Sequence, residues 1–245
     1  MMCGRFAQFA EDEEIVSAFD LDLLEGDAER PRYNLAPSQK ARVVLERFVD
    51  IPDATGSIRK RLLRKGRFLQ WGFVPRWAKT PSRPMINARA ETLLGKPMFR
   101  ASAARRRCIV PANGYFEWHQ HPKTNTKIPY FLSASPSDPL LAFAGIYEAW
   151  RNPLVPLGEE DAWLLTFAIL TRGAPDELGR IHDRMPLILP PDMWNEWLDP
   201  ALKEPGCVHE MIGAVPDPML RPRIVSPRVG KVDNDDPTLI AENPL

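Results

Sequence analysis

Proline recurs so often along this chain that few long, uninterrupted elements can form. There are 26 prolines in 245 residues, roughly twice the ~5% usual in soluble proteins. Each fixes φ and removes a backbone donor, so the elements between them are short and the connections stiff. Within those limits, EDEEIVSAFDL (11–21) reads as a short amphipathic helix with acid in its first turn. ARVVLERF (41–48) predicts a strand, and RLLRKGRFLQWGFVP (61–75) a hairpin turning at Lys65-Gly66. RRCIVPANGYFEWH (106–119) predicts strand, turn and strand, with a hairpin turn at Asn113-Gly114. PYFLS, LLAFAGIYEAW and WLLTFAILT are apolar runs of strand length, the last of them buried on both faces. Helices are predicted over 191–199 and 207–214. Strands in the middle with helices around them give an α+β fold: a curved, barrel-like antiparallel sheet core with flanking short helices. No repeat or linker divides the chain, so one domain over 3–240 is expected.

The length allows a sizeable core, and 44% apolar with 26% charged residues is an ordinary globular balance. No apolar run approaches the roughly 18 residues of a membrane span. The start carries EDEE rather than a basic, then apolar, stretch, so no signal peptide is expected. A soluble, cytoplasmic protein is expected, nucleoid-associated in a bacterium. Cys3, Cys108 and Cys207 contain no C-x-x-C, which supports neither a disulfide framework nor a zinc ribbon. His119-x-His121 lies in the polar stretch HQHPKTNTK and reads as an exposed turn. Neither metal nor cofactor is expected. Net charge is formally zero, yet basic residues gather in 57–67 and at Arg100 and Arg105 to Arg107, and acidic ones in EDEE and DNDD. That asymmetry permits a basic surface on one side.

The segment MCGRF raises the sharpest chemical possibility. An N-terminal α-amine has a pKa near ~7.7–8.0, against ~10.4 for lysine, so much more of it is free base at neutral pH. It can attack an aldehyde to form an imine, and a cysteine thiol one carbon away can then close a thiazolidine ring. A small buried hydrophobe is the other reading of Cys3, and position alone leaves both open. Trp71 and Trp77 lie among prolines, glycine and arginines, a setting suited to stacking single-stranded bases, though either can equally close the core. Asn87 and Arg89 of N-A-R share a face if extended; the first can orient a reacting amine or sugar, the second can hold phosphate. In GYFEW, Glu117 shares a strand face with Tyr115, while Phe116 and Trp118 face the other way. Aromatic surroundings should desolvate that carboxylate and raise its pKa towards a proton-shuttling range, unless it is a surface glutamate. His182 in IHDRMP suits general acid–base chemistry, or caps a helix end beside an Asp183–Arg184 pair.

Taken together and in order, MCGRF, YNLAP (33–37), WGFVPRWA (71–78), INARAET (86–92), GYFEW, IHDRMP and VSPRVGKVDNDDPTLI (225–240) closely resemble the SOS response-associated peptidase (SRAP) family. These are the abasic-site processing proteins of bacteria and animal cells, and the resemblance runs from Cys3 to about Ile240. It implies a mature chain that begins at the cysteine and captures the open-chain aldehyde of an abasic site in single-stranded DNA as a stable thiazolidine crosslink, shielding the lesion. By resemblance, Cys3 is the nucleophile and Asn87 helps place the terminal amine. Glu117 shuttles protons, and His182 helps open the deoxyribose ring and assists reversal. The resemblance also puts Arg5, Trp77, Arg89, Trp118, Thr171 and Arg184 in contact with DNA, with Asn34 and Pro37 close to the same groove. It implies peptidase (hydrolase) and lyase-like chemistry, abasic single-stranded DNA as partner, and nothing beyond a monomer. With Trp71 from the stacking argument, these are the candidate site residues.

Two other classes remain at this point. Glutamine amidotransferases also begin M-C-G, with cysteine as acyl acceptor and its own amine as base. They usually continue into isoleucine and a further glycine, where this chain has Arg5-Phe6. A passive single-strand binder would stack bases without chemistry. The double methionine poses its own problem, because Cys3 has no free amine while Met2 precedes it. Either Met2 is the true start, or the chain cleaves itself before Cys3 using Glu117 and His182.

Overall fold

A computed structural model describes residues 3–52, 57–81, 84–134 and 140–243. Met1 and Met2, and with them the question of how the Cys3 amine is exposed, lie outside the described residues. The strands in chain order are β1 (Phe6–Gln8), β2 (Leu23–Leu24), β3 (Arg32–Leu35), β4 (Lys40–Pro52), β5 (Ile58–Trp71), β6 (Asn87–Arg89) and β7 (Arg107–Ala112). They continue as β8 (Gly114–Gln120), β9 (Lys127–Ser133), β10 (Leu141–Arg151), β11 (Trp163–Gly173), β12 (Arg184–Pro186) and β13 (Arg221–Ile224). The helices are α1 (Asp12–Phe19), α2 (Pro97–Arg105), α3 (Asp176–Gly179), α4 (Trp194–Leu198) and α5 (Pro205–Ala214). Prolines open α2 and α5, where a missing N–H costs nothing. Among the described residues, no helix is long and apolar enough to cross a membrane.

The larger sheet closes into a ring. Strand β11 pairs with β10, β10 with β7, β7 touches β4 at Val44 opposite Ile109, and β4 pairs along its length with β5. The circuit ends where Gln70 and Trp71 of β5 meet Thr166 and Phe167 of β11. This is the curved sheet expected from the sequence, but it is mixed rather than wholly antiparallel. The β5–β11, β6–β11 and β2–β5 contacts are parallel. A second, antiparallel sheet runs β13-β9-β8-β1-β3. One core fills the ring with Val43, Leu69, Trp71, Val110, Phe143, Phe167 and Ile169, and it also takes in Cys3, Phe6 and Tyr115. A second core packs the ring's outer face, through Val44, Ile109, Ala144 and Leu170, against residues of α1, α2, α4 and α5. The middle of β11, Thr166 to Thr171, is buried throughout, as its continuous apolar pattern predicts.

Two predicted turns are corrected. Lys65-Gly66 is no hairpin: β5 runs straight through it, and Gly66 pairs with Val44. Glycine is there for close approach, since a Cβ would meet Leu24 Cδ1 at 2.6 Å and Leu21 Cδ1 at 2.8 Å. Asn113-Gly114 does connect two strands, but β7 and β8 belong to different sheets. The pair is a corner. Asn113 Oδ1 accepts the N–H groups of Phe9 and Ala10 there, and a Cβ on Gly114 would strike the Phe131 ring and lie 2.7 Å from the Leu132 carbonyl oxygen.

Candidate active site

Strand β8 sorts its side chains by the period of two. Tyr115 faces the ring core, while Phe116 and Trp118 pack into a separate cluster with Phe131, Val225 and Val229. Glu117 follows Tyr115 to the inner face and is 2% exposed. Strand β1 pairs antiparallel with β8, Phe6 opposite Tyr115, and this register carries the start of the chain back towards Glu117. The Cys3 backbone N–H donates to Glu117 Oε1 at 2.6 Å. Among the described residues, no lysine, arginine or histidine forms an ion pair with Glu117. Burial therefore lifts its carboxyl to about 7, even though the bond from the Cys3 N–H pulls the other way.

Cys3 is fully buried and held at φ +35°, where L-residues rarely sit. Burial, and next the Glu117 charge, push its thiol well above its ordinary value. Asn87 opens β6, opposite Ile169 of β11, and its Nδ2 reaches the Cys3 carbonyl oxygen at 3.4 Å. His182 follows α3, and its Nδ1 lies 3.1 Å from the Arg184 amide and 3.0 Å from Asp183 Oδ1. A groove of about 410 Å³ runs over this point, lined by Gly4, Arg5, Glu117, Trp118, Gln120, Lys127, His182 and Gly230. The chain thus gathers Cys3, Asn87 and Glu117 through direct hydrogen bonds, and brings His182 to the same groove as Glu117.

The predicted DNA contacts separate into two sets. Arg89 and Trp77 are exposed, Trp77 by 72%, and Trp118 is half-buried at the groove wall. Pro37 is half-buried at the end of β3. Five others are committed to the protein itself. Trp71 is no stacking platform: it is 1% exposed in the ring core, edge-on to Phe6, with Nε1 donating to the Ile86 carbonyl. Asn34 is 0% exposed, and its Nδ2 donates to the carbonyls of Val229, Lys231 and Asn234. Thr171 is equally buried and accepts from Arg184. Arg184 itself is forked onto Glu91 at 2.5 and 2.9 Å, holding the Glu91 carboxyl below its ordinary range. Arg5 lines the groove, but its guanidinium already serves Asn34 Oδ1 and the carbonyls of Val229 and Gly230.

Three participants escape the sequence reading. Asp235, in the acidic DNDD stretch, accepts the Tyr33 and Asn34 amides and pairs with Arg32 at 2.6 Å, clasping the C-terminal segment onto β3. Glu91 anchors Arg184, and Lys127 enters the groove from β9. Backbone amides as partners leave no trace in residue identity, which is why Asp235 read only as surface charge.

Comparison with known proteins agrees with this architecture. Residues 2–232 match the family model described as SOS response associated peptidase (SRAP). The abasic site processing protein YoqW of Bacillus subtilis is 37% identical over 244 residues, covering 98% of this chain and 99% of its own. The abasic site processing protein YedK of Escherichia coli is 31% identical over 250 residues, covering 98% and 99%. A crystal structure of a Bacteroides thetaiotaomicron protein superposes with a TM-score of 0.77 at 22% identity, over 98% of this chain and 100% of that one, and speaks for the fold. The chain belongs to the SOS response associated peptidase (SRAP) family.

Proposed function

We propose that this chain processes abasic sites in DNA, and that it does so as a monomer on single strands by crosslinking the ring-opened sugar to Cys3. The observation that carries the reading is the 2.6 Å bond from the Cys3 nitrogen to a buried carboxylate with no cationic partner among the described residues. Once the residues before Cys3 are removed, that nitrogen is an α-ammonium with a pKa near ~7.7–8.0. Burial raises the Glu117 carboxyl to about 7, so it takes a proton from such an amine far more readily than an ordinary glutamate near ~4.3 would. Burial thus makes Glu117 a base matched to this one amine.

The freed amine adds to the C1′ aldehyde, and protonated Glu117 returns its proton to the carbinolamine hydroxyl, which leaves as water. The Cys3 sulfur then adds to the imine carbon while its proton passes to nitrogen, closing the thiazolidine. Because burial holds the thiol protonated, the amine acts first and the sulfur second. Asn87, bonded to the Cys3 carbonyl, fixes the direction of the amine. His182, at the groove edge, takes the proton of the sugar's anomeric hydroxyl and passes it to the ring oxygen O4′ as the C1′–O4′ bond breaks, and serves the reverse step.

Self-cleavage before Cys3 fits the same geometry. The φ of +35° exists only while a peptide bond precedes Cys3, and strain of this kind is of order 1–3 kcal/mol. Hydrolysis releases it. The test is a denaturing gel with single-stranded DNA carrying one abasic site. A chain beginning at Cys3 should give a shifted band, and Cys3→Ala or a chain retaining Met2 should give none. Equal crosslinking by the Met2-blocked chain would refute the mechanism.

A further inference from the structure

A second groove, of about 340 Å³, opens where β4, the end of α2, and the adjoining ends of β10 and β11 meet. Its lining includes Arg47, Arg76, Arg105 and Arg106 together with Phe48 and Trp163. Two carboxylates also line it, and each is already neutralised. Glu46 is paired to Arg64 and Glu148 to Arg106, both at 2.7 Å. Arg47, Arg76 and Arg105 are exposed and make no ion pair or hydrogen bond among the described residues. Three guanidiniums therefore stand uncompensated around one depression, although the chain as a whole has no net charge. Beside them Phe48 and Trp163 are 50% and 46% exposed. The Tyr147 phenol, pushed up to about 12 by burial, stays protonated at the floor of the same groove.

Free guanidiniums interleaved with open aromatic faces are what a single strand requires: phosphates for the first, base faces for the second. A duplex hides its base faces, and an acidic peptide has no use for Phe48 and Trp163. The position also fits. The Cys3 site lies at the Ile169–Thr171 end of β11 and this groove at Trp163, about 20–26 Å away at ~3.3 Å per residue. The segment carrying Arg76 and the exposed Trp77 starts beside β11, where the Gly72 and Val74 amides donate to the Phe167 carbonyl and Thr166 Oγ1. It reaches this groove where Trp150 Nε1 donates to the Ala78 carbonyl at 2.6 Å.

We infer that this groove is a second binding site for single-stranded nucleic acid, holding the strand a few nucleotides away from the sugar at Cys3. The inference rests on the abasic-site reading only for why one strand would reach both places. Its test uses intact, undamaged strands and stands apart from that reading. Binding of a strand of about four nucleotides is compared with one of about twenty by fluorescence anisotropy. The full chain is compared with an Arg47→Gln/Arg76→Gln/Arg105→Gln variant.

The expected result is a loss of about tenfold or more in long-strand affinity, with the log–log salt slope shallower by about 2 for three lost phosphate contacts. Short-strand affinity should not change. Phe48→Ala/Trp163→Ala should weaken long-strand binding by about fivefold or more through lost stacking. Wild-type affinity and salt slope in the triple variant would overturn the inference, as would an equal loss on a duplex of the same length. Absence of a denaturation-resistant adduct with every abasic strand would instead sink the reading of the Cys3 groove, and the undamaged-strand titrations would still decide this one.

Discussion

Two regions of the molecule bury glutamates, and they treat them in opposite ways. Near the second groove, Glu46 and Glu148 each face a guanidinium at 2.7 Å, and Glu148 also accepts from Ser102 at 3.0 Å. At the mouth of the Cys3 groove, Glu117 is buried more deeply than either, yet its partner is a backbone N–H rather than a cation. The first arrangement fixes a charge and ties strand β4 or β10 to its neighbours. The second leaves a carboxyl whose ionisation is poised near neutrality, next to the one nitrogen the chemistry needs. The two buried thiols repeat the lesson. Burial pushes both Cys108 and Cys3 well above the usual thiol value, so neither is an activated thiolate. What distinguishes Cys3 is its backbone nitrogen and the carboxylate bonded to it.

The largest effect should come from breaking the paired region. Arg106→Met leaves Glu148 buried without its cation and should destabilise the chain by about 3–5 kcal/mol in urea unfolding. A loss under about 1 kcal/mol would show that Glu148 does not depend on it. The unpaired region should respond with the opposite sign. Glu117 sits at about 7 in the fold against 4.5 ordinarily, so folding takes up a proton between those values. The stability it permits is full below about pH 4 and is lost as pH rises through 7. In a chain still carrying Met2, where the Cys3 nitrogen is an amide, Glu117→Gln should therefore stabilise by up to roughly 3 kcal/mol at pH about 8. It should change little near pH 4. A destabilised variant at both pH values would mean that Glu117 is held as firmly as Glu148.

A smaller effect sharpens the role of the C-terminal clasp. Asn34→Ala strands the Val229, Lys231 and Asn234 carbonyls and Arg5, and should cost about 2 kcal/mol. The smallest change should come at Trp77. Trp77→Ala should alter stability by no more than about 0.5 kcal/mol while weakening single-strand binding by about 1 kcal/mol or more. Thermal unfolding and anisotropy on the same sample separate the two.

The contrast also marks what residue order alone can reveal. The inward turn of Glu117 follows from the period of a strand, and the chemistry of Cys3 from having amine and thiol on one residue. Helix α1 was legible from its acidic first turn, where Glu11 and Glu14 form a capping box. Gly66 and Gly114 were misread, because a glycine that lets another chain segment close in looks in sequence like one that makes a turn. Trp71 and Trp77 differ by six positions and by 1% against 72% exposure, and nothing local decides which faces the core. The inward commitments of Asn34, Thr171 and Arg184 depend on partners up to about two hundred residues away, and the closure of the ring by a parallel β5–β11 contact depends on three-dimensional packing.

The central claim, that Glu117 is the base for the Cys3 amine, is tested most directly by the pH dependence of covalent capture. Capture of an abasic single strand by a chain beginning at Cys3 should accelerate as pH rises through about 7, where Glu117 ionises. Glu117→Gln should be slower by about a hundredfold and lack that rise. A Glu117→Gln chain that captures at the wild-type rate with the same pH profile would contradict the account.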